Sequence, residues 1–141
     1  MTGQAERDLV AGVMQLANLL TRRLAPVFEK ARVTPQQWAI LSVLDRSGPM
    51  SPASLARAMM VSKQNMTGMM VRLEQLGFAE RSGDPEDLRS SRVALTRRGR
   101  ATIEKLRPAY EQWRDALAGA ISERDMATTA RTIEQLIEKL E

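Results

Sequence analysis

The chain of 141 residues contains neither cysteine nor histidine. Without cysteine, disulfides, thiolate zinc sites and thiol-based redox sensing are excluded, which suits a reducing compartment. Without histidine, the commonest general base and metal ligand is missing. No nucleophile motif, glycine-rich phosphate loop or calcium-loop spacing is present. We therefore predict no catalysis, no bound metal and no cofactor.

Long apolar runs are also absent. The N-terminal segment carries Glu6, Arg7 and Asp8 ahead of an interrupted apolar pattern, which differs from the continuous apolar core of a signal peptide. No apolar run approaches the roughly 20 residues that a membrane-spanning helix needs. The sequence predicts a cytoplasmic protein that does not associate with membranes.

The excess positive charge is concentrated in one third of the chain. The formal net charge is +4; residues 54–100 contain nine Lys or Arg against five Asp or Glu, and the remainder contains twelve of each. A localised excess of this kind indicates an anionic partner such as nucleic acid.

Apolar spacing and N-cap residues divide the first half of the chain into four predicted helices. Apolar residues recur at helical spacing over 5–31. N-cap residues then open three shorter helices at Thr34, Ser51 and Ser62, and the third of these ends at Gly77. Two short helices joined by a tight connection are the outline of a helix-turn-helix.

A hairpin and two further helices complete the chain. Short strands are predicted at 78–81 and 92–96, on either side of a polar tip. Thr96 is suited to cap a long helix that contains Pro108 and continues to Ile121, and Ser122 is suited to cap the last helix.

These elements predict one mainly α domain with a small β-hairpin wing. Residues 35–100 form its winged helix-turn-helix DNA-binding lobe, and residues 5–31 and 101–141 form long amphipathic helices. The middle of the chain is too small to cover both, so we predict that they pair with the same helices of a second copy in a symmetric homodimer. The alternative is that the first and last helices pack only on each other within one chain.

The helix that follows Ser62 presents residues that can read DNA bases. Gln and Asn pair with adenine, Lys pairs with guanine, and the Thr methyl group contacts thymine. The alternative is an ordinary solvated helix face. Gly68, in the helix interior, either permits close approach of DNA or of a neighbouring helix or is merely tolerated. The predicted DNA contacts on this helix are Ser62, Lys63, Gln64, Asn65, Thr67 and Arg72.

Arginines in and after the hairpin predict contacts to the DNA backbone and minor groove. Arg89 at the tip is suited to a narrow minor groove, with Asp87 near enough to steady its guanidinium, and Arg92 follows in the second strand. The alternative is a self-neutralising loop of opposite charges. Arg97, Arg98 and Arg100 conflict with the positive end of the next helix dipole, and such conflicts tend to mark function. We predict that this arginine-lined helix start holds a phosphate, with Arg97 and Arg98 as DNA contacts.

Two segments, "LARAMMVSKQNMTGMMVRLEQLGFAER" and "DPEDLRSSRVALTRRG", resemble the MarR family of bacterial winged helix-turn-helix regulators. The resemblance covers essentially the whole chain. The second segment departs from the family's wing signature at Leu88, where the family commonly has Arg. It matches that signature at Asp84, Pro85, Asp87, Arg89, Ser90, Leu95, Thr96 and Gly99.

The resemblance implies a homodimer joined through its first and last helices. Such a dimer binds a palindromic operator in double-stranded DNA, usually as a repressor, and is often released by a small aromatic or phenolic effector. By the same analogy the effector lies where the dimer helices meet the DNA-binding lobe. The candidate lining residues are Trp38, Leu41, Leu106, Tyr110 and Trp113. The alternative is that both tryptophans simply belong to the core.

Two other functions stay open at this stage. One is a winged-helix module that binds protein and not DNA, which the localised positive charge and the wing arginine disfavour. The other is an enzyme that acts on small anions at the arginine cluster, which the missing His, Cys and metal motifs disfavour.

Overall fold

The computed structural model describes residues 2–84, 86–87 and 89–141. Pro85 and Leu88 of the wing signature lie outside this part. The elements are α1 (Thr2–Glu29), α2 (Pro35–Ser47), α3 (Pro52–Ala58), α4 (Lys63–Gln75), β1 (Ala79–Ser82), β2 (Arg92–Leu95), α5 (Arg97–Ala118) and α6 (Glu123–Leu140). A mainly helical chain with one hairpin confirms the predicted fold class.

Local hydrogen bonds fix the starts of the helices where the sequence predicts them. The Thr34 hydroxyl accepts the Gln37 N–H at 3.1 Å, and the Gln37 side chain accepts the Thr34 N–H at 3.0 Å. Ser51, Ser62 and Ser122 each accept the N–H of the residue three positions later. Each such cap stabilises its helix by about 1 kcal/mol.

The buried hydrophobic core of the helix-turn-helix region lies among α2, α3, α4 and the hairpin. Phe28, near the end of α1, stacks on Trp38 of α2 with ring centroids 5.2 Å apart. Met66, Met70 and Leu73 form the buried face of α4. These residues recur three and four positions apart, so they lie on one face of the helix.

The hairpin is fastened to the helix-turn-helix as well as to itself. Its antiparallel register pairs Ala79 with Leu95 and Arg81 with Val93. Val93 also exchanges two main-chain hydrogen bonds with Met50, at 2.7 and 3.0 Å, in the connection between α2 and α3. The base of the wing is therefore anchored on two sides, and its position relative to α4 is defined.

The chain divides into two compact units, one extending to Leu106 and the other comprising Arg107–Glu141. The second unit contains the C-terminal part of α5 and all of α6. We predicted that α5 continues to Ile121, but it ends at Ala118, because Gly119 interrupts it and Ser122 caps α6. None of the helices in the described part of the chain is long and apolar enough to span a membrane.

Candidate nucleic-acid interface

The N-terminal half of α4 presents an exposed polar surface. Lys63, Gln64 and Asn65 are solvent-exposed, and within the described residues their side chains form no hydrogen bond or ion pair. The Ser62 hydroxyl is already used as the cap, and the Thr67 hydroxyl donates to the Lys63 carbonyl. The amide and ammonium groups are thus free to reach a partner, whereas the hydroxyls first stabilise the helix.

A cavity of about 580 Å³ lies between the start of α3, one face of α4 and the hairpin. Lys63, Thr67 and Met70 line it from α4, since residues three and four apart share a helix face. Among the described residues, the cavity is lined by four cations and by no carboxylate; the cations are Lys63, Arg81, Arg89 and Arg92. An opening with this lining attracts an anion.

Hydrogen bonds within the hairpin tip order its main chain. Asp87 Oδ1 accepts the main-chain N–H of Arg89 at 3.0 Å, and Asp84 Oδ1 accepts that of Glu86 at 2.9 Å. The prediction that Asp87 steadies the Arg89 guanidinium is wrong, because its carboxylate is directed to the main chain. Within the described part of the tip, the carboxylates form no ion pair with Arg89 or Arg92.

Two further contacts shape the tip. Gly83 has φ +103°, and a methyl group added there would overlap the main chain of Ser90. Arg92 Nη1 donates to the carbonyls of Arg89 and Ser91, both at 3.0 Å. Arg92 therefore holds the end of the tip, and Arg89, whose side chain is exposed, lines the cavity.

The start of α5 is locked to the end of α4. The Thr96 hydroxyl donates to the Gly77 carbonyl and accepts the Gly99 N–H. The Arg98 guanidinium lies over the Phe78 ring, 5.5 Å from its centroid, in a cation–π contact. Arg97 and Arg98 are both exposed, but among the described residues only Arg98 has this contact with a ring.

The predicted effector residues are divided between the two units. Trp38, Leu41 and Leu106 are buried in the first unit. In the second unit the Tyr110 and Trp113 rings stack with centroids 6.4 Å apart, and both are half-buried.

Arg81, which lines the cavity, and its partner Glu74 are not singled out by any pattern in the sequence. Arg81 Nε donates to Glu74 Oε1 at 2.6 Å. Arg81 belongs to the basic segment that the sequence highlights, but its partner lies seven residues earlier, across the end of a helix. No local pattern predicts this contact.

The chain is similar in sequence to known transcriptional regulators. A sequence model described as the MarR family matches residues 33–91. The transcriptional activatory protein BadR of Rhodopseudomonas palustris is 33% identical over 130 residues, covering 89% of this chain and 74% of BadR. The homoprotocatechuate degradative operon repressor of Escherichia coli is 25% identical over 134 residues, covering 95% and 86% of the two chains.

Solved structures share the fold. The MarR family regulator AbsC of Streptomyces coelicolor has a TM-score of 0.85 at 23% identity, covering 96% of this chain and 94% of AbsC. NadR in complex with 4-hydroxyphenylacetate has a TM-score of 0.76 at 25% identity, covering 89% of each chain. With its helix-turn-helix, its hairpin and a relative of one-third identity along most of its length, the chain belongs to the MarR family of transcriptional regulators.

Proposed function

We propose that this protein is a homodimeric repressor that binds a palindromic operator and is released by a small aromatic ligand. In this proposal the chain works in the bacterial cytoplasm, where its DNA target lies. The observation that carries the proposal is the juxtaposition of the free polar face of α4 with a hairpin tip that bears the exposed Arg89. An α-helix fits the major groove, and an arginine on an extended tip fits the adjacent minor groove.

Exposed apolar faces support the homodimer. On α1, Leu9, Val13 and Leu16 are 46–48% exposed and follow helical spacing. In the other unit no residue of α6 is buried, although Ile133, Ile137 and Leu140 recur along it. Large contiguous apolar surfaces mark interaction sites. A second copy offers the same surfaces, and a two-fold dimer also matches the two halves of a palindrome.

The sign of regulation does not follow from the names of the relatives, since BadR is named an activator and the Escherichia coli relative a repressor. We propose repression because a bound dimer needs no further contact to block access to a promoter. In-vitro transcription from a promoter that overlaps the selected operator should fall as the protein is added. A rise in transcript would contradict this part of the proposal.

The experiment for the DNA-binding proposal is selection of random duplexes by the purified protein. The expected product is an inverted repeat, and its affinity should fall steeply with salt. If each subunit contacts four phosphates, a plot of log affinity against log salt concentration should have a slope near −7. If no duplex is enriched while the protein is folded and captures a protein partner, the chain is a protein-interaction module.

The ligand proposal rests on relatives whose names include aromatic acids, homoprotocatechuate and 4-hydroxyphenylacetate. Such a ligand acts by binding more tightly to the dimer that does not fit DNA. A hundredfold difference in affinity, about 2.7 kcal/mol, is sufficient to release most of the protein. Phenolic acids should change the tryptophan fluorescence and release the operator together. If peroxide releases the DNA and no phenolic acid does, the effector proposal is wrong and methionine oxidation becomes the explanation.

A further inference from the structure

We propose that the cavity between α4 and the hairpin seats the sugar-phosphate strand that separates the two grooves, and that Arg81 is a phosphate-binding residue positioned by Glu74. This inference rests on the proposed DNA-binding function and identifies where the backbone lies. It assigns roles to two residues that neither the sequence patterns nor the comparisons single out.

The position of the cavity identifies its ligand. With α4 in the major groove and Arg89 in the adjacent minor groove, the strand between these grooves must pass between the helix and the tip. The cavity occupies that space, since Lys63 and Thr67 line one wall while Arg89 and Arg92 line the other. Phosphate oxygens and sugars together take about half or more of the hydrogen bonds in protein–DNA interfaces, commonly from arginine and lysine.

Arg81 is the cation best fixed for this role. It projects from β1 and lines the cavity. Its Nε donates to Glu74, and within the described residues its two Nη groups have no hydrogen-bond partner. A guanidinium held through Nε keeps the Nη hydrogens available in a defined orientation, so less side-chain freedom is lost when a phosphate binds.

Glu74 acts through Arg81 and not on the DNA. The Glu74 side chain is 31% exposed, and the Arg81 side chain is 40% exposed. A lone carboxylate near phosphates weakens binding by repulsion, so removing its charge should strengthen binding. If Glu74 positions Arg81, removing its charge should instead weaken binding. The two roles therefore predict opposite changes in DNA affinity when the charge of Glu74 is removed.

Glu80 is the matched control for this charge. It neighbours Arg81 on β1, but successive side chains of a strand point to opposite faces. It is exposed and does not line the cavity. Glu80→Gln therefore removes an equal charge next to Arg81, from β1, without altering the contact between Arg81 and Glu74.

The test measures the affinity of the full-length protein for the selected duplex over a range of salt concentrations. Arg81→Gln should weaken binding about tenfold or more and make the log–log salt slope shallower by about 0.9 per subunit. Its selected sequence should stay the same. Glu74→Gln should also weaken binding, whereas Glu80→Gln should leave it unchanged or strengthen it. In the Arg81→Gln background, Glu74→Gln should cause no further loss of affinity.

Thermal unfolding of each variant checks that the fold is retained. Arg81→Lys, which keeps the charge but not the fork of donors, should restore the salt slope but not the full affinity. Glu74→Gln binding at least as tightly as Glu80→Gln would overturn the positioning role. If the parent protein and Arg81→Gln bind the selected duplex equally well, Arg81 does not bind a phosphate. The proposed DNA-binding function is not affected by that result. A parent that selects no duplex contradicts the proposed function and this inference together.

Discussion

At the scale of single residues, Met60 is held in an unfavourable conformation. It lies between α3 and α4 with φ +54°, in the left-handed region, and its side chain is 56% exposed. This conformation costs a residue with a side chain about 1 kcal/mol or more, whereas it costs glycine little. The tight turn between the two helices of the helix-turn-helix imposes it.

Met60→Gly should therefore raise the free energy of unfolding by up to about 1 kcal/mol. The gain is limited because glycine also increases the freedom of the unfolded chain. Denaturant titration of the two proteins measures the difference. Arg32→Gly is the matched control, since Arg32 is exposed with φ +57° in another turn. If Met60→Gly is destabilising while Arg32→Gly is stabilising, the Met60 side chain makes a contribution beyond its backbone conformation.

Gly99 is required for a different reason, the close approach of two chain segments. It is buried in the first turn of α5, and a methyl group there would overlap the Phe78 carbonyl oxygen. Gly99→Ala should lower the free energy of unfolding by more than about 2 kcal/mol, because the overlapping atom is main chain and cannot rotate away. Calorimetry of the variant measures this. An unchanged melting temperature would contradict the packing of α5 against the end of α4.

At the scale of elements, α4 contains a glycine that the chain itself does not require. A methyl group added at Gly68 meets no described atom within 4 Å. Packing by another helix of the described chain therefore does not explain this glycine, and close approach of DNA or tolerance are the explanations that remain. Gly68 lies four residues after Gln64 and three after Asn65, on the face expected to meet DNA.

Gly68→Ala should raise the free energy of unfolding by about 1 kcal/mol, since alanine is the better helix former. If DNA approaches this face closely, the same change should weaken DNA binding, and Gly68→Leu should weaken it further. The salt dependence of the affinity should not change, because the added side chain hinders the approach of DNA sterically without removing a phosphate contact. Stability and affinity measured on the same samples separate the two effects. Equal affinity for all three proteins would show that Gly68 is merely tolerated.

The recognition helix and the wing should differ in what they contribute to DNA binding. Asn65→Ala should relax the base preference at one position by about 1–3 kcal/mol. Arg89→Ala should instead weaken binding to all duplexes, remove any preference for flanking A·T pairs, and leave the stability of the dimer unchanged. Binding measured on the selected operator and on single-base variants distinguishes the two profiles. If Arg89→Ala binds like the parent, the interpretation of the tip as a self-neutralising loop is correct.

The sequence predicts elements whose causes are local and fails where contacts are distant. Ser51, Ser62 and Ser122 cap helices through residues three positions away, so short patterns suffice to locate these starts. The hairpin strands were predicted within one residue, but the Met50–Val93 pairing that anchors them was not. The Glu74–Arg81 contact and the Arg98–Phe78 contact also depend on the folded arrangement, which is why Arg81 was missed and the environment of Arg98 was unforeseen.

At the scale of the whole molecule, the proposed dimer depends on the exposed apolar residues of the terminal helices. Leu16 of α1 is 48% exposed. Leu16→Glu should leave the fold of the helix-turn-helix intact but dissociate the dimer, because a charge cannot be buried there without a partner. Sedimentation measures the change in mass, and circular dichroism measures the helix content. A glutamate variant that stays dimeric would place the interface elsewhere.

The most direct test of the central claim, a two-fold protein on two half-sites, is a series of duplexes that differ only in half-site spacing. The selected half-site is repeated in inverted orientation with centres separated by different numbers of base pairs. We predict two chains per duplex and the tightest binding near one helical turn, roughly 10 bp. One chain per duplex, with equal affinity at every spacing, would contradict the account.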